Sequence, residues 1–287
     1  MLIWPANRFV AGEEMGVAIA AARELNLRGI AVSLDLLGEN VTERAAAEKA
    51  RDDYTSLLRG IADAGVDSNI SIKLTMLGLD IEPGLARDHL VSILETAQES
   101  DNWVRIDMEG SRYTQLTLEL FYEVWRNFRN VGVVIQSMLR RSDADVDRLI
   151  AEGARVRLVK GAYKEPGPLA YQDKRDVNAA FDRLAERLLE GGERPALATH
   201  DDERIDHAIS YARERGIDPG RFEFQMLYGV RRDLQEKLVR EGYRMRVYVP
   251  FGTQWYPYLM RRLAERPANV AFITGSVMAE MVGRGRR

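Results

Sequence analysis

The sequence lacks cysteine entirely, contains only three histidines, and has no long uninterrupted run of apolar residues. Without cysteine the chain forms no disulfide, offers no thiolate nucleophile and builds no cysteine-ligated zinc site. The histidines, His89, His200 and His207, show neither HxH nor HExxH spacing, so no metal site is expected. No apolar run approaches the roughly 18 residues that cross a bilayer, and no signal peptide is visible, so the sequence predicts a cytoplasmic protein.

Neither sign of charge dominates the composition. The 287 residues include 41 lysines and arginines against 44 aspartates and glutamates, a formal net charge of −3. A nucleic-acid-binding protein normally shows a basic excess or a basic stripe, so this class is not expected. Apolar residues make up 46% of the chain and charged residues 30%, which is enough to bury a large core. This length suggests two domains by default, although α/β barrels of the same size form one.

Short segments rich in β-branched and apolar residues alternate with longer segments of helical periodicity. We predict strands over residues 29–35, 69–75, 103–108, 131–136, 155–160, 195–199, 221–226 and 245–249. We predict helices over residues 8–28, 42–64, 83–100, 114–128, from 144, 176–189 and 202–213. Strands spaced about 30 residues apart have the length of successive βαβ units. The sequence therefore predicts an α/β fold, a parallel sheet closed into a (β/α)8 TIM-type barrel with a short N-terminal lead-in helix.

An open, doubly wound sheet is the competing architecture. It would favour a GxGxxG loop after the first strand, where residues 36–39 instead read Leu-Leu-Gly-Glu. No linker, low-complexity segment or second domain stands out in the sequence. We therefore predict a single barrel domain over residues 1–287, with a lead-in at 1–28, the barrel at 29–269, and a C-terminal helix and tail at 270–287.

Charged and polar residues occur at or near the ends of all eight predicted strands. Parallel strands are buried on both faces, so a charged residue within one needs a reason. In such a barrel the catalytic groups collect at the carboxyl ends of the strands. The residues concerned are Asp35, Glu39, Lys73, Arg105, Asp107, Gln136, Arg157, Lys160, Thr199, His200, Glu223, Gln225 and Tyr248. Any single one could be structural, as Glu223 or an Arg157–Asp107 pair would be, but the whole set is better explained by the polar ligand site of an enzyme.

The segment 255–266 combines two adjacent arginines with aromatic residues at helical spacing. One predicted helix face carries Tyr258, Arg261, Arg262 and Glu265, and the other carries Trp255, Leu259, Met260 and Leu263. Glu265 follows the arginines by four and three residues, so it can fix either rotamer. A guanidinium held in this way suits a carboxylate, which it grips with two parallel hydrogen bonds. A solvated charged helix face is the alternative interpretation.

Cations match or outnumber acids among the residues of the predicted cavity, which suits an anionic substrate group or an electron-rich cofactor ring. Two other functions fit the same residues. A Schiff-base enzyme such as a class I aldolase would use Lys73 or Lys160 as nucleophile. A non-catalytic barrel would bind a small carboxylate as a sensor. A serine hydrolase and a glycosidase are disfavoured, because no strand-end serine has a base and no carboxylate pair stands clear of the cations.

These residues fall in motifs that resemble those of the proline dehydrogenase barrel, found in monofunctional bacterial enzymes and within the bifunctional proline utilisation flavoproteins. The matching segments are LDLLGE at 34–39, SIKLT at 71–75, RIDME at 105–109, RLVKGAY at 157–163, ATHD at 198–201, FEFQ at 222–225, YGV at 228–230, RVYVP at 246–250 and YxxRRxxE at 258–265. Their order is kept from about residue 8 to residue 269. The combination of YxxRRxxE with RLVKGAY is the most specific sign.

The resemblance implies the oxidation of L-proline to Δ1-pyrroline-5-carboxylate, the first step of proline catabolism, by hydride transfer to N5 of a noncovalently bound FAD. It implies that Asp107 and Arg157 are catalytic. It implies that the residues contacting the substrate are Glu39, Lys73, Tyr248, Tyr258, Arg261, Arg262 and Glu265. It implies that the residues contacting the cofactor are Met108, Gln136, Arg157, Lys160, Gly161, Ala162, Thr199 and His200.

The resemblance also implies specific pairings and partners. Glu39 would pair with Arg261 as a gate, and Glu265 would orient Arg262 on the proline carboxylate. Electrons would pass to a quinone, with peripheral contact at the inner face of the membrane. Members of the family carry helices ahead of the segment that matches residues 8–13, where this chain has seven residues. The sequence carries no signal for the number of subunits.

Overall fold

The structure, a computed structural model, describes the backbone of residues 6–265 and the side chains of residues 7–260. Eight parallel strands close into a barrel in chain order, and the last strand pairs with the first. The strands are β1 (Ala31–Leu36), β2 (Ser68–Ile72), β3 (Val104–Ile106), β4 (Val131–Gln136), β5 (Arg155–Val159), β6 (Ala196–Ala198), β7 (Glu223–Leu227) and β8 (Arg244–Phe251). The predicted (β/α)8 TIM-type architecture is confirmed.

Helices alternate with the strands and cover the outside of the barrel. They are α1 (Met15–Asn26), α2 (Arg44–Ala64), α3 (Pro83–Glu99), α4 (Ser111–Trp125), α5 (Ser142–Ala151), α6 (Lys174–Gly191), α7 (Asp202–Glu214), α8 (Arg232–Arg240) and α9 (Trp255–Glu265). The lead-in helix α1 starts later than the predicted residue 8. Local chemistry sets several of the ends: Gly65 caps α2 with φ of 61°, and the Asp173 side chain accepts the Arg175 amide at the start of α6.

The strands differ from the predicted ones mainly at their carboxyl ends. Because β2 ends at Ile72 and β3 at Ile106, Lys73 and Asp107 follow their strands and do not interrupt them. After β2 the backbone turns into a short 3-10 helix, Leu74–Leu77. The strand hydrogen bonds therefore end before residue 75, the predicted end of this strand. Both side chains therefore stand on the rim of the barrel, at the edge where the sheet gives way to loops.

Two buried arginines form a polar layer inside the apolar barrel. Arg246 donates to both carboxylate oxygens of Glu223, at 3.0 and 3.2 Å, and to the carbonyl oxygen of Val32 at 2.7 Å. Burial tends to raise the pKa of Glu223, but the Arg246 guanidinium outweighs it and holds the pKa below its ordinary value. Arg105 donates to two backbone carbonyl oxygens, including that of Arg155 at 2.6 Å. Glu223 is thus a structural residue of the barrel interior.

A separate apolar cluster seats α9 on the N-terminal segment. Its buried members are Phe9, Val10, Leu37, Tyr258 and Leu259, and Val230 and Trp255 pack against them. The Trp255 indole also donates to Glu13 at 3.2 Å. The predicted division of the helix faces is wrong in part: Met260 is 45% exposed, whereas Tyr258 is only 7% exposed. The cluster and the barrel mouth lie on the same side of α9, so Tyr258 packs inward and Met260 faces solvent.

Some predicted features lie outside the described part of the chain. The side chains of Arg261, Arg262 and Glu265 belong to this group, as does the C-terminal helix and tail predicted at 270–287. The division into lead-in, barrel and tail therefore stays a prediction. Within the described residues, every helix is too short or too polar to cross a bilayer.

Gly132→Ala is expected to destabilise the barrel. An added Cβ would lie 2.7 Å from Nη1 of Arg105 and 2.7 Å from the carbonyl oxygen of Arg155, and neither atom has room to move. Overpacking of this kind costs about 1–3 kcal/mol, which urea denaturation would show as a lower free energy of unfolding. Gly16→Ala in α1 is the control, because nothing lies within 4 Å of its added Cβ. Equal denaturation midpoints for the two variants would contradict this packing.

Candidate active site

A cavity of about 800 Å³ opens at the carboxyl ends of the strands. It is lined by every predicted site residue whose side chain is described, namely Glu39, Lys73, Asp107, Met108, Gln136, Arg157, Lys160, Gly161, Ala162, Thr199, His200, Tyr248 and Tyr258. The remaining three predicted residues, Arg261, Arg262 and Glu265, have side chains outside the described part of the chain. The barrel thus brings residues from widely separated motifs to one site. Their individual roles stay predictions.

Asp107 joins side chains from three other strand ends. Its Oδ1 accepts a hydrogen bond from Nη1 of Arg157 at 2.8 Å, and its Oδ2 accepts one from the Tyr248 hydroxyl at 2.8 Å. Nζ of Lys73 lies 3.9 Å from the same Oδ2 and donates to Oδ1 of Asp35 at 2.8 Å. Buried charges are tolerated when they are paired and hydrogen-bonded. Two cations and two carboxylates balance here, which explains how the cluster stays buried.

Lys73 remains charged in this cluster. Burial alone would lower its pKa, but the carboxylates of Asp35 and Asp107 outweigh burial and raise the pKa of Lys73 above its ordinary value. A Schiff-base nucleophile must be a neutral amine, so this shift disfavours the aldolase hypothesis for Lys73. The other candidate lysine, Lys160, donates to Oδ2 of Asp201 at 2.5 Å. That amine is engaged in an ion pair.

Arg157 is fixed from several sides. Besides its bond to Asp107, its Nη2 donates to the hydroxyl oxygens of Ser33 at 3.3 Å and Ser71 at 3.2 Å. Its guanidinium carbon lies 5.4 Å from the centre of the Tyr248 ring. Burial, the larger cause, and the Asp107 carboxylate, the second, raise the pKa of Tyr248 well above its ordinary value. The Tyr248 hydroxyl therefore stays protonated and donates. Arg157 is therefore a rigid positive charge in the cavity wall.

Two features at the ends of β4 and β5 suit a flat ligand. Nε2 of Gln136 donates to the carbonyl oxygen of Met108 at 3.3 Å, whereas its Oε1 is buried and has no partner among the described residues. Buried acceptors are normally satisfied, so a ligand N–H would complete this one. Gly161 has φ of 116°, and an added Cβ would collide with the sulfur of Met138. Only glycine fits there, which leaves bare backbone at the cavity.

The wall beyond β6 is held by hydrogen bonds among neighbouring residues. The Lys160–Asp201 ion pair bridges the ends of β5 and β6, and the Asp201 amide donates to the Thr199 hydroxyl at 3.2 Å. Nε2 of His200 lies 2.9 Å from the Leu227 amide nitrogen, so that ring nitrogen is the acceptor. This bond keeps Nε2 unprotonated and holds the His200 ring in place.

Glu109 is absent from the predicted site residues, yet it lines the cavity and is only 4% exposed. Its Oε2 accepts the Thr75 hydroxyl at 2.6 Å, and its Oε1 accepts the Thr75 amide at 3.2 Å. Burial raises the pKa of Glu109, and the bonds from Thr75 oppose that rise. The available signal was its position two residues after Asp107, within one motif.

Asp35 and Asp201 also line the cavity. Asp35 is predicted only as a strand-end residue without a role, and Asp201 appears only as the last residue of a motif. Asp35 pairs with Lys73, and Asp201 with Lys160. An acidic residue inside a buried parallel strand, or directly after His200, is a usable signal in each case. The partner could not be named from sequence, because it comes from a different strand.

A family model described as proline dehydrogenase matches residues 18–275 of the chain. The relative named proline dehydrogenase 2 of Bacillus subtilis (strain 168) is 41% identical over 267 residues, which cover 93% of this chain and 88% of that protein. The proline dehydrogenase of Deinococcus radiodurans is 41% identical over 278 residues, covering 95% of this chain and 90% of that protein.

A solved structure shares the same barrel. The crystal structure of proline utilization A (PutA) from Bdellovibrio bacteriovorus, inactivated by N-propargylglycine, matches with a TM-score of 0.84 at 29% identity. The match covers 90% of this chain and 32% of that chain. The chain therefore spans about a third of the length of that PutA.

Replacing Lys73 alone is expected to cost more stability than replacing it together with Asp35. Lys73→Met leaves the Asp35 carboxylate fully buried without its ammonium partner, and breaking a buried pair costs about 3–5 kcal/mol. In Lys73→Met/Asp35→Asn that unpaired charge is gone, so part of the loss is recovered. The measurement is a double-mutant cycle on free energies of unfolding. Additive losses would show that the two residues are not coupled.

Proposed function

Because the chain belongs to the proline dehydrogenase family, we propose that it oxidises L-proline to Δ1-pyrroline-5-carboxylate with noncovalently bound FAD as its cofactor. The observation that carries the proposal is the position of Arg157. Its guanidinium is buried and held by Asp107, Ser33 and Ser71, in the wall of a cavity of about 800 Å³. A cavity of that size accommodates a cofactor ring together with a small substrate.

The cavity residues fit a flavin. When bound, FAD supplies the hydride acceptor, at N5 of its ring system. Gln136 offers an unpartnered buried oxygen to a ring N–H, and Gly161 offers bare backbone to a flat ring. Arg157 would supply a fixed positive charge to offset the electron density that a reduced ring accumulates. The other proposed cofactor contacts are Met108, Lys160, Ala162, Thr199 and His200.

The substrate contacts are proposed from α9 and the rim of the cavity. Arg261 and Arg262 would grip the proline carboxylate, since a guanidinium fork matches a carboxylate with two parallel hydrogen bonds. Glu265 would orient Arg262. Tyr248 and Tyr258 line the cavity and would wall the proline ring, which keeps water away from the reacting carbon.

The charged rim residues complete the proposed substrate site. Lys73 lies 3.9 Å from Asp107 and would lie beside the substrate carboxylate. Glu39 lines the same cavity and would close it by pairing with Arg261. Asp107 is proposed as catalytic because it orients both Arg157 and Tyr248.

A quinone is proposed as the electron acceptor. The protein would reach it from the cytoplasm by peripheral contact at the inner face of the membrane. The resemblance to the proline dehydrogenase family is what supports both proposals.

The purified protein should show absorption near ~450 nm that bleaches when L-proline is added without oxygen, because hydride transfer reduces the flavin. D-proline is the control, since the stereochemistry at its carboxylate-bearing carbon is inverted. A flavin that L-proline does not bleach would keep the cofactor and reject the substrate. A colourless protein that also takes up no added FAD would reject the flavin-dependent reaction.

Arg157→Ala is expected to slow anaerobic flavin reduction by roughly 100-fold to 1000-fold, the loss typical when one fixed electrostatic group is removed. Stopped-flow absorbance measures the rate, and urea denaturation measures stability in parallel. Arg183→Ala is the matched control, because Arg183 makes a similar two-bond pair with Asp143 on the outside of the barrel. If Arg157→Ala reduces stability and leaves the reduction rate of the folded fraction unchanged, Arg157 is a structural residue.

A further inference from the structure

We propose that Glu109 is a positioning residue for substrate retention, acting through Thr75 on the loop between β1 and α2 (residues 37–43). This inference rests on the proposed function, because it concerns how the cavity retains proline. Glu109 lies three residues beyond the end of β3, whereas the loop follows β1, so the coupling crosses two neighbouring strand ends. Thr75, in the turn after β2, is the link between them.

The hydrogen bonds form a directed chain. The Thr75 hydroxyl donates to Oε2 of Glu109 at 2.6 Å and accepts the backbone N–H of Asn40 at 3.0 Å. A hydroxyl has one proton to donate, so committing it to Glu109 leaves its lone pairs for Asn40. The carbonyl oxygen of Thr75 accepts the N–H of Val41 at 3.1 Å. Two successive loop amides are thus anchored on one fully buried threonine.

The anchored loop adopts a conformation that needs support. Asn40 has φ of 55°, in the left-handed region that asparagine enters at a modest cost. A second contact, from the Tyr113 hydroxyl to Oδ1 of Asn40, is long at 3.4 Å, and the same hydroxyl lies 2.7 Å from Asp80. That proton is better used on Asp80. Thr75 therefore holds the middle of this loop, at Asn40 and Val41, whereas the Leu37 amide at its start donates to the carbonyl oxygen of Phe251 at 2.8 Å.

The loop forms part of the cavity wall. Leu37, Gly38 and Glu39 all line the cavity, and Leu37 also packs in the cluster that contains Tyr258 of α9. Releasing the loop would therefore displace a cavity carboxylate and disturb the seat of α9 together. Both changes loosen the enclosure around the substrate and leave the Asp107–Arg157 pair in place.

The Glu109 carboxylate matches both donors that point at it. They belong to Thr75, and the two carboxylate oxygens accept one each. A glutamine could still contact the Thr75 hydroxyl, because that oxygen can accept from the glutamine amide and from Asn40 together. Glu109→Met removes both acceptors with little change in side-chain size.

The test is steady-state kinetics with proline. We expect Thr75→Val to raise KM about tenfold and to change kcat by less than about twofold, as loss of ground-state retention does. Thr75→Ser keeps the hydroxyl and should leave KM near the parent value, whereas Glu109→Met should raise KM in the same way as Thr75→Val. Thr96→Val is the matched control, because Thr96 is also buried, at 6% exposed, and its hydroxyl bonds within α3, to Ser92. A KM for Thr75→Val no higher than that of Thr96→Val would overturn the proposal.

A double variant with Glu39→Ala distinguishes a positioning role of Thr75 from a general loss of structure. If the chain acts through the loop, Thr75→Val in a Glu39→Ala background should change KM by less than about twofold, because the two variants share one effect. A full tenfold effect in that background would overturn the proposal. A structural defect would instead lower kcat and the unfolding midpoint together, which would also overturn it.

Hydrogen exchange tests the same chain without turnover. The Asn40 amide loses its acceptor in Thr75→Val and should exchange faster than in the parent protein or in Thr96→Val. The Val41 amide keeps the Thr75 carbonyl oxygen and should exchange faster only if the loop is released. If L-proline fails to reduce the flavin while these amides respond as expected, the proposed function fails and the positioning of the loop stands. If L-proline reduces the flavin and the amides do not respond, the positioning role of Glu109 is overturned and the proposed function stands.

Discussion

The balance of buried charge around Asp107 is the constraint on which the site depends. One carboxylate accepts from Arg157 and Tyr248 and lies 3.9 Å from Lys73, whose own partner is Asp35. Removing any one charge would leave another buried without compensation, at a cost of several kcal/mol. The cluster therefore holds its members in one arrangement, and a fixed arrangement of charge is what electrostatic catalysis requires.

Barrel closure is what makes that balance possible. Asp107 and Arg157 come from β3 and β5, whereas Lys73 and Tyr248 come from β2 and β8. In a parallel barrel every strand delivers its carboxyl end to the same rim, so residues far apart in the chain converge within hydrogen-bond distance. Strands β2 and β3 end early, at Ile72 and Ile106, which places Lys73 and Asp107 on the rim of the barrel.

The fold could be predicted from the sequence more completely than the site. Alternating strand and helix signals predict the barrel, because the strand and the helix of each βαβ unit carry their own apolar periodicity in the sequence. Strand-end position was enough to select Asp107 and Arg157, but it could not find Glu109, whose link to Thr75 depends on how a short turn folds after β2. Helical periodicity also misplaced Met260, because the face of α9 that packs inward is chosen by an N-terminal segment distant in sequence.

An unsatisfied buried atom points to a ligand only when it borders a cavity. Nε of Arg105 and Oε1 of Gln136 both lack partners among the described residues. Arg105 sits among the strands beside Gly132, where its guanidinium lies 4.8 Å from the centre of the Trp103 ring, and this contact offsets part of the cost of burial. Gln136 instead lines the cavity next to Arg157. A ligand that carries an N–H donor and tolerates a neighbouring positive charge would satisfy it, which is the chemistry of a flavin ring edge.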